Sequence, residues 1–163
     1  MVGDMDAPSS PALASTGLIV VDHGSRRDES NRMLEAMVEM VRGVVPYSIV
    51  EAAHMEIAEP SIATAFDACV AQGATTVVIS PYFLLPGKHW TEDIPALSQE
   101  AAARHPGVRF LVTAPLGLHP MMAEVVNSRV EHCLAHVDGR AGECEACAGT
   151  GVCAMRTAPS RAA

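Results

Sequence analysis

The stretch at residues 17–28, GLIVVDHGSRRD, opens on a β-branched apolar run too short for a helix and stops at Asp22-His23-Gly24-Ser25, which supplies turn chemistry. It reads as a buried strand delivering a polar loop at its carboxyl end. Outward from it, Met33, Leu34, Met37, Val38 and Val41 recur at three- and four-residue intervals over Asp28 to Arg42, an amphipathic helix for which Ser25 or Asp28 is the expected cap. The strand-then-helix unit then repeats. Tyr47 to Ala53 is strand-like, and Pro60-Ser61 opens a helix carrying Ile62, Phe66, Cys69 and Val70 that ends at Gly73. Thr75 to Ser80 is a third strand, Thr91 to Arg104 a helix with Pro95 in its first turn, and Val108 to Thr113 a fourth strand. A last helix runs from Met121 to about Val137, with Met122, Val125, Val126, Val130, Cys133 and Leu134 as its apolar stripe. Alternating strands and helices imply right-handed crossovers. The expected fold is α/β: an open, mostly parallel four-stranded sheet with helices on both faces.

Three segments follow from composition. Residues 1–16 are acidic and without arginine, so they resemble neither a secretory signal nor a transit peptide and read as a disordered lead. Residues 17–137 form the α/β domain. Residues 138–163, rich in Gly, Cys and Ala without periodicity, form an appended tail. The uncharged stretch from Gly73 to Gly87 contains Pro81 and Pro86 and is too short to span a bilayer, so no membrane is expected. With 19 acidic and 11 basic side chains, a net charge of −8 also argues against nucleic acid as partner. The five cysteines are odd in number, and without a secretory signal the tail thiols suit metal binding better than disulfides.

In open sheets of flavodoxin-like strand order, ligands bind where the order reverses, outside the carboxyl ends of the strands. The loops after the first and third strands are Asp22 to Arg27 and Pro81 to Pro95, and each carries one histidine, His23 and His89. Their neighbours matter more than either residue alone. The chain's one lysine, Lys88, stands beside His89, and Arg26 and Arg27 follow His23, so scarce positive charge collects at one edge of an acidic protein. An anionic ligand suits it. Neither G-x-G-x-x-G nor G-x-x-x-x-G-K-[ST] is present, which excludes the usual phosphate cradles. Ser25 lacks the G-x-S-x-G context of a hydrolase nucleophile and fits a cap better.

The stretches LIVVDHGSRRDESN (18–31), EAAHMEIAEPSI (51–62), VVISPYFLLPGKHWTEDIP (77–95) and TAPLG (113–117) resemble the small sirohydrochlorin chelatases of the CbiX/SirB group, the plant-type branch in particular. The resemblance runs from about Leu18 to Arg156. It implies a chelatase-like half-domain that works as a homodimer and inserts Fe(II), the metal substrate, into sirohydrochlorin. It makes His23 and His89 the catalytic, metal-handling residues. Ser25, Arg26, Arg27 and Lys88 are then natural partners for the carboxylates of the tetrapyrrole. Glu92 and Asp93 read either as a proton relay or as favourable charge at a helix N-terminus. The resemblance also implies a plastid location, although the lead is no transit peptide; a cytoplasmic bacterial relative is the other reading.

Six further positions have plainer readings. His54 and His119 follow the second and fourth strands and read as structural histidines. His132 and His136 have i, i+4 ligand spacing without the glutamate of H-E-x-x-H, and read as solvated, while His105 reads as a dipole contact at a helix end. Cys69, on a helix stripe, reads as a small hydrophobe. The four thiols Cys133, Cys144, Cys147 and Cys153 suit either a zinc ion or an iron-sulfur cluster by spacing alone; the resemblance favours [2Fe-2S]. Cobalt in place of iron, or a non-catalytic iron- or cluster-delivery role, are the alternative functions.

Overall fold

The computed structural model describes residues 15–156; the lead up to residue 14 and the end from residue 157 lie outside the described residues. Four strands, β1 (Thr16–Asp22), β2 (Ile49–His54), β3 (Thr76–Pro81) and β4 (Arg109–Val112), form one sheet in the order β2-β1-β3-β4. All three pairings are parallel. Asp22 is level with His54, and Val21 with Pro81, so β1, β2 and β3 release their loops at one edge. The order reverses between β1 and β3, where the two histidine loops leave.

The alternation of β1 sets the two cores. Leu18 and Val20 face helix α1 (Asp28–Arg42), where Leu34 and Val38 close a small cluster with Val50. Ile19 and Val21 face the opposite side, against Phe66 and Cys69 of α2 (Ile62–Ala71) and Ile94 and Ala101 of α3 (Ile94–Ala102). A period-2 strand thus has both faces covered, as a parallel sheet requires. Gly17 lies so close to α2 that a Cβ there would come within 2.9 Å of Cys69. Cys69 is fully buried, and burial pushes its thiol up to about 12.

Two local expectations change. Neither Ser25 nor Asp28 caps α1: Arg27 is the N-cap, without a side-chain bond. Asn31 holds the loop instead, accepting from Ser25 N–H at 2.9 Å and donating to Ser25 C=O at 2.9 Å, while Ser25 Oγ accepts from Arg27 N–H. The helix expected from Thr91 starts earlier, as a π-helical turn at His89–Asp93 in which Ile94 N–H donates to His89 C=O. Pro95 explains the widening. It has no N–H for the Thr91 carbonyl, and its ring crowds that carbonyl, so a tight α-turn is disfavoured there.

By its internal contacts the chain divides at Gly117 into two compact units. The second unit takes in helix α4 (Pro120–Val137) and the described residues after it, so Cys133 and the three tail cysteines belong to one body. Gly139, at φ 73°, turns the chain after α4. No described helix is long and apolar enough to cross a membrane.

Candidate metal and tetrapyrrole site

The turn after β1 is built round one carboxylate. Asp22 Oδ1 accepts from Gly24 N–H at 2.9 Å and pairs with His54 Nδ1 at 2.6 Å. Gly24 sits at φ 85°, and a Cβ there would fall 2.0 Å from the Glu56 carbonyl oxygen, so this position requires glycine for conformation and for space. His23, between these two residues, is half-exposed.

The neighbouring loop is registered on this turn by main-chain bonds. Met55 N–H donates to Asp22 C=O at 2.8 Å and Glu56 N–H to His23 C=O at 3.1 Å, which prolongs the β1–β2 pairing beyond the strands. Glu56 Oε1 is thereby brought 2.8 Å from His23 Nε2. The next residue, Ile57, has φ 72°, a left-handed conformation that a β-branched residue rarely adopts, at a cost of about 1–3 kcal/mol. Backbone strain is therefore stored beside the carboxylate that meets His23.

From the other side of β1, the loop after β3 leads into the π-helical turn. His89 is its first residue rather than a free loop position, and its Nδ1 pairs with Asp93 Oδ2 at 2.7 Å. Trp90 anchors the turn by donating from Nε1 to the Thr113 carbonyl at 2.8 Å. The rings of His23 and His89 meet edge to face, 5.3 Å between centroids. Phe83 lies against His89 at 6.1 Å. An open groove of about 570 Å³ runs over Asp22, His23, Ser25 and the apolar stretch Tyr82 to Leu85. Arg26, Arg27 and Lys88 are exposed on the loops that carry the two histidines. Of the two acidic candidates, Asp93 joins the site and Glu92 stays exposed.

In the second unit the thiols form two pairs: Cys133 Sγ lies 3.5 Å from Cys153 Sγ, and Cys144 Sγ 3.5 Å from Cys147 Sγ. Cys153 also shares a hydrogen bond with Cys147, and the bonds to Cys133 and Cys147 push its thiol up to about 12. The N–H of Ala146 and the Cys147 thiol hold Cys144 below its usual value. The sulfurs thus make a connected string. No three His, Cys, Asp or Glu side chains among the described residues converge as a ready-made cage for one ion, here or at the sheet edge.

Residues 17–133 match the CbiX family over most of the chain. The chain belongs to the CbiX family. It is 57% identical over 139 residues, 85% of this chain and 62% of the relative, to the chloroplastic sirohydrochlorin ferrochelatase of Arabidopsis thaliana. Against the sirohydrochlorin ferrochelatase of Bacillus subtilis it is 32% identical over 70% of this chain and 44% of the relative. The sirohydrochlorin chelatase SirB of Bacillus subtilis subspecies spizizenii, solved with cobalt, superposes with TM-score 0.68 at 32% identity, covering 72% of this chain and 50% of that one. A CbiX protein from Marinobacter aquaeolei VT8 superposes with TM-score 0.65 at 27% identity, covering 74% of this chain and 98% of that one. This CbiX chain therefore spans less than two thirds of the Arabidopsis and Bacillus relatives and nearly the whole of a short one.

The structure brings together His23 and His89, and it adds Glu56, which sequence reasoning missed. The signal was present: a carboxylate two residues beyond β2, on the strand adjacent to β1. His54 is structural, as expected, but fully buried, with Nε2 lacking any partner among the described residues. His119 caps α4 through Nδ1, which accepts from Met121 N–H at 3.3 Å. His105 is not a dipole contact: its Nε2 pairs with Asp67 at 2.6 Å and its ring stacks on Phe66, because the chain past α3 folds back over α2. His132 and His136 are not solvated either. His136 Nδ1 lies 3.1 Å from the Ala141 carbonyl, and His132 Nε2 is enclosed with no partner among the described residues.

Proposed function

We propose that this protein inserts Fe(II) into sirohydrochlorin to give siroheme, with release of two protons. The observation that carries the reading is the meeting of His23 and His89 at the switch point, each with its own carboxylate, Glu56 and Asp93. The Arabidopsis relative at 57% identity bears the name of this activity and is chloroplastic, which supports both the metal and a plastid location. A SirB of Bacillus subtilis, 32% identical, has been solved with Fe3+.

The chemistry suits the residues. A metal that must be handed on should be held by few, adaptable donors, and imidazole with carboxylate meets that need for Fe(II). Asp93 on Nδ1 orients His89 and leaves Nε2 for the ion, the usual arrangement of a carboxylate behind a metal-binding histidine. Glu56 and His23 accept the pyrrole protons that the ion replaces. The flat macrocycle lies over the apolar stretch Tyr82 to Leu85, with its carboxylates toward Ser25, Arg26, Arg27 and Lys88. A groove this open gives one wall of a cleft, and a second copy of the chain supplies the other. Anaerobic assay of the purified chain with sirohydrochlorin and Fe(II), against matched Co(II), tests the reading: faster siroheme formation is expected, and preference for cobalt would make it a cobaltochelatase.

We infer that Cys133, Cys144, Cys147 and Cys153 hold a [2Fe-2S] cluster. Cys133, Cys153, Cys147 and Cys144 follow one another as linked thiols within one unit and offer the four thiolates such a cluster takes, and the resemblance to the plant-type chelatases favours it over zinc. Such a cluster would supply one-electron redox capacity to the second unit.

A further inference from the structure

His54 ends β2 level with Asp22, is 0% exposed, and keeps one ring nitrogen, Nε2, without a hydrogen-bond partner among the described residues. A buried, half-satisfied imidazole is costly, and an apolar residue of similar shape would avoid that cost, so packing alone does not account for it. Its other nitrogen accounts for it better. Nδ1 meets Asp22 Oδ1 at 2.6 Å, and the same oxygen accepts the Gly24 N–H at 2.9 Å. One carboxylate oxygen thus joins the end of β2 to both flanks of His23. His54 is tied down in turn, since its own N–H donates to the Pro60 carbonyl at 2.7 Å, across the loop that carries Glu56.

We propose that His54 is a positioning residue for the facing histidines of the site, acting through Asp22 to set the turn that presents His23 to Glu56 and His89. The inference rests on the chelatase reading above. Without the donor at Nδ1 the Asp22 carboxylate is free to rotate toward solvent, the Gly24 N–H loses its fixed acceptor, and the His23 ring leaves the height at which Glu56 and His89 meet it. His54 touches none of the reacting groups.

The test compares two substitutions in the full chain. In His54→Asn the amide nitrogen takes the place of Nδ1 and can still donate to Asp22; in His54→Phe the ring volume is kept and the donor is lost. Misplacement of a catalytic group on the order of 1 Å costs about a hundredfold, so His54→Phe is expected to lower kcat for Fe(II) insertion by about 10- to 100-fold, while His54→Asn stays within about threefold of the parent. Amide exchange at Gly24, followed without substrate, should quicken in His54→Phe and not in His54→Asn. A core-packing role predicts the reverse order, with activity following thermal stability and the volume-conserving Phe variant the better one. That order, or unchanged Gly24 exchange in His54→Phe, overturns the proposal. Should His54→Phe not fold, His54→Gln carries its donor at the Nε2 position, away from Asp22, and is expected to behave as Phe does; parental activity in it overturns the proposal equally. Failure of the parent chain to insert Fe(II) strikes the chelatase reading instead, and the exchange data still decide the role of His54 in holding the turn.

Discussion

His23 and His89 face each other across the strand-order reversal with ring centroids 5.3 Å apart, although one leaves β1 through a tight glycine turn and the other opens a π-helical turn after β3. Each ring is held by a carboxylate from a different element, Glu56 beyond β2 and Asp93 one turn along from His89. Both rings are half-exposed, and neither contributes to the two cores.

Removing either ring should therefore harm chemistry and spare the fold. His23→Ala and His89→Ala are each expected to lower Fe(II) insertion by about 10²- to 10⁴-fold, with an unchanged circular dichroism spectrum. Turnover near the parental rate in either variant would end the two-histidine mechanism.

Gly24→Ala is expected to be as damaging as a histidine substitution while lying outside the chemistry. An added Cβ would sit 2.0 Å from the Glu56 carbonyl oxygen at a φ of 85°. The backbone conformation alone costs about 1–3 kcal/mol, and relief of the clash must push the Glu56 loop away from His23. Thermal unfolding and insertion rate measured together check this; a variant with parental values of both would mean that the loop yields freely.

Asp67 offers a pH test of stability away from the site. The His105 hydrogen bond, with Arg104 adding its charge, holds this carboxyl below its usual range. A depressed folded value contributes stability that is present above the unfolded value, about pH 4, and is lost as pH falls through the folded value. Asp67→Asn should accordingly lower the midpoint of unfolding at pH 6 and converge on the parent in strong acid. Because the pair is half-exposed, the difference should shrink at high salt. A gap that widens toward low pH would contradict the assignment.

The chelatase reading, in which the groove at one sheet edge is one wall of the cleft, predicts a dimer. Light scattering of the active protein should return about twice the chain mass of 17.1 kDa. A fully active monomer would require the second wall to come from within this chain.

The cysteine pairs make the colour of the protein a diagnostic. Anaerobically purified protein should be brown, with about two irons and two sulfides per chain, and Cys144→Ser or Cys147→Ser should lose both. Zinc would leave it colourless. Since the unit ending at Gly117 carries both histidine loops, basal insertion should persist in part after cluster loss. Full iron and sulfide in Cys133→Ser would remove that residue from the ligand set, despite its 3.5 Å approach to Cys153.

The sequence by itself determined the elements and their order, because the signals are local: the β-branched run at 17–22, the three- and four-residue spacing of Leu34, Val38 and their neighbours, and Ser61, which does cap α2 by accepting from Thr64 N–H at 3.2 Å. From alternation of strands and helices it also determined the sheet type, and so which loops to read for His23 and His89. Only the tertiary structure decided who meets whom there. That Glu56, not Glu92, joins the histidines depends on β2 lying beside β1 in the register Asp22↔His54. The burial of His54 against Asp22, and the approach of Cys133 to Cys153, are likewise contacts between distant segments. The alternation of apolar residues fixes which face of a strand is buried, but which strand lies beside which, and so which loops meet, is settled only when the faces pack together.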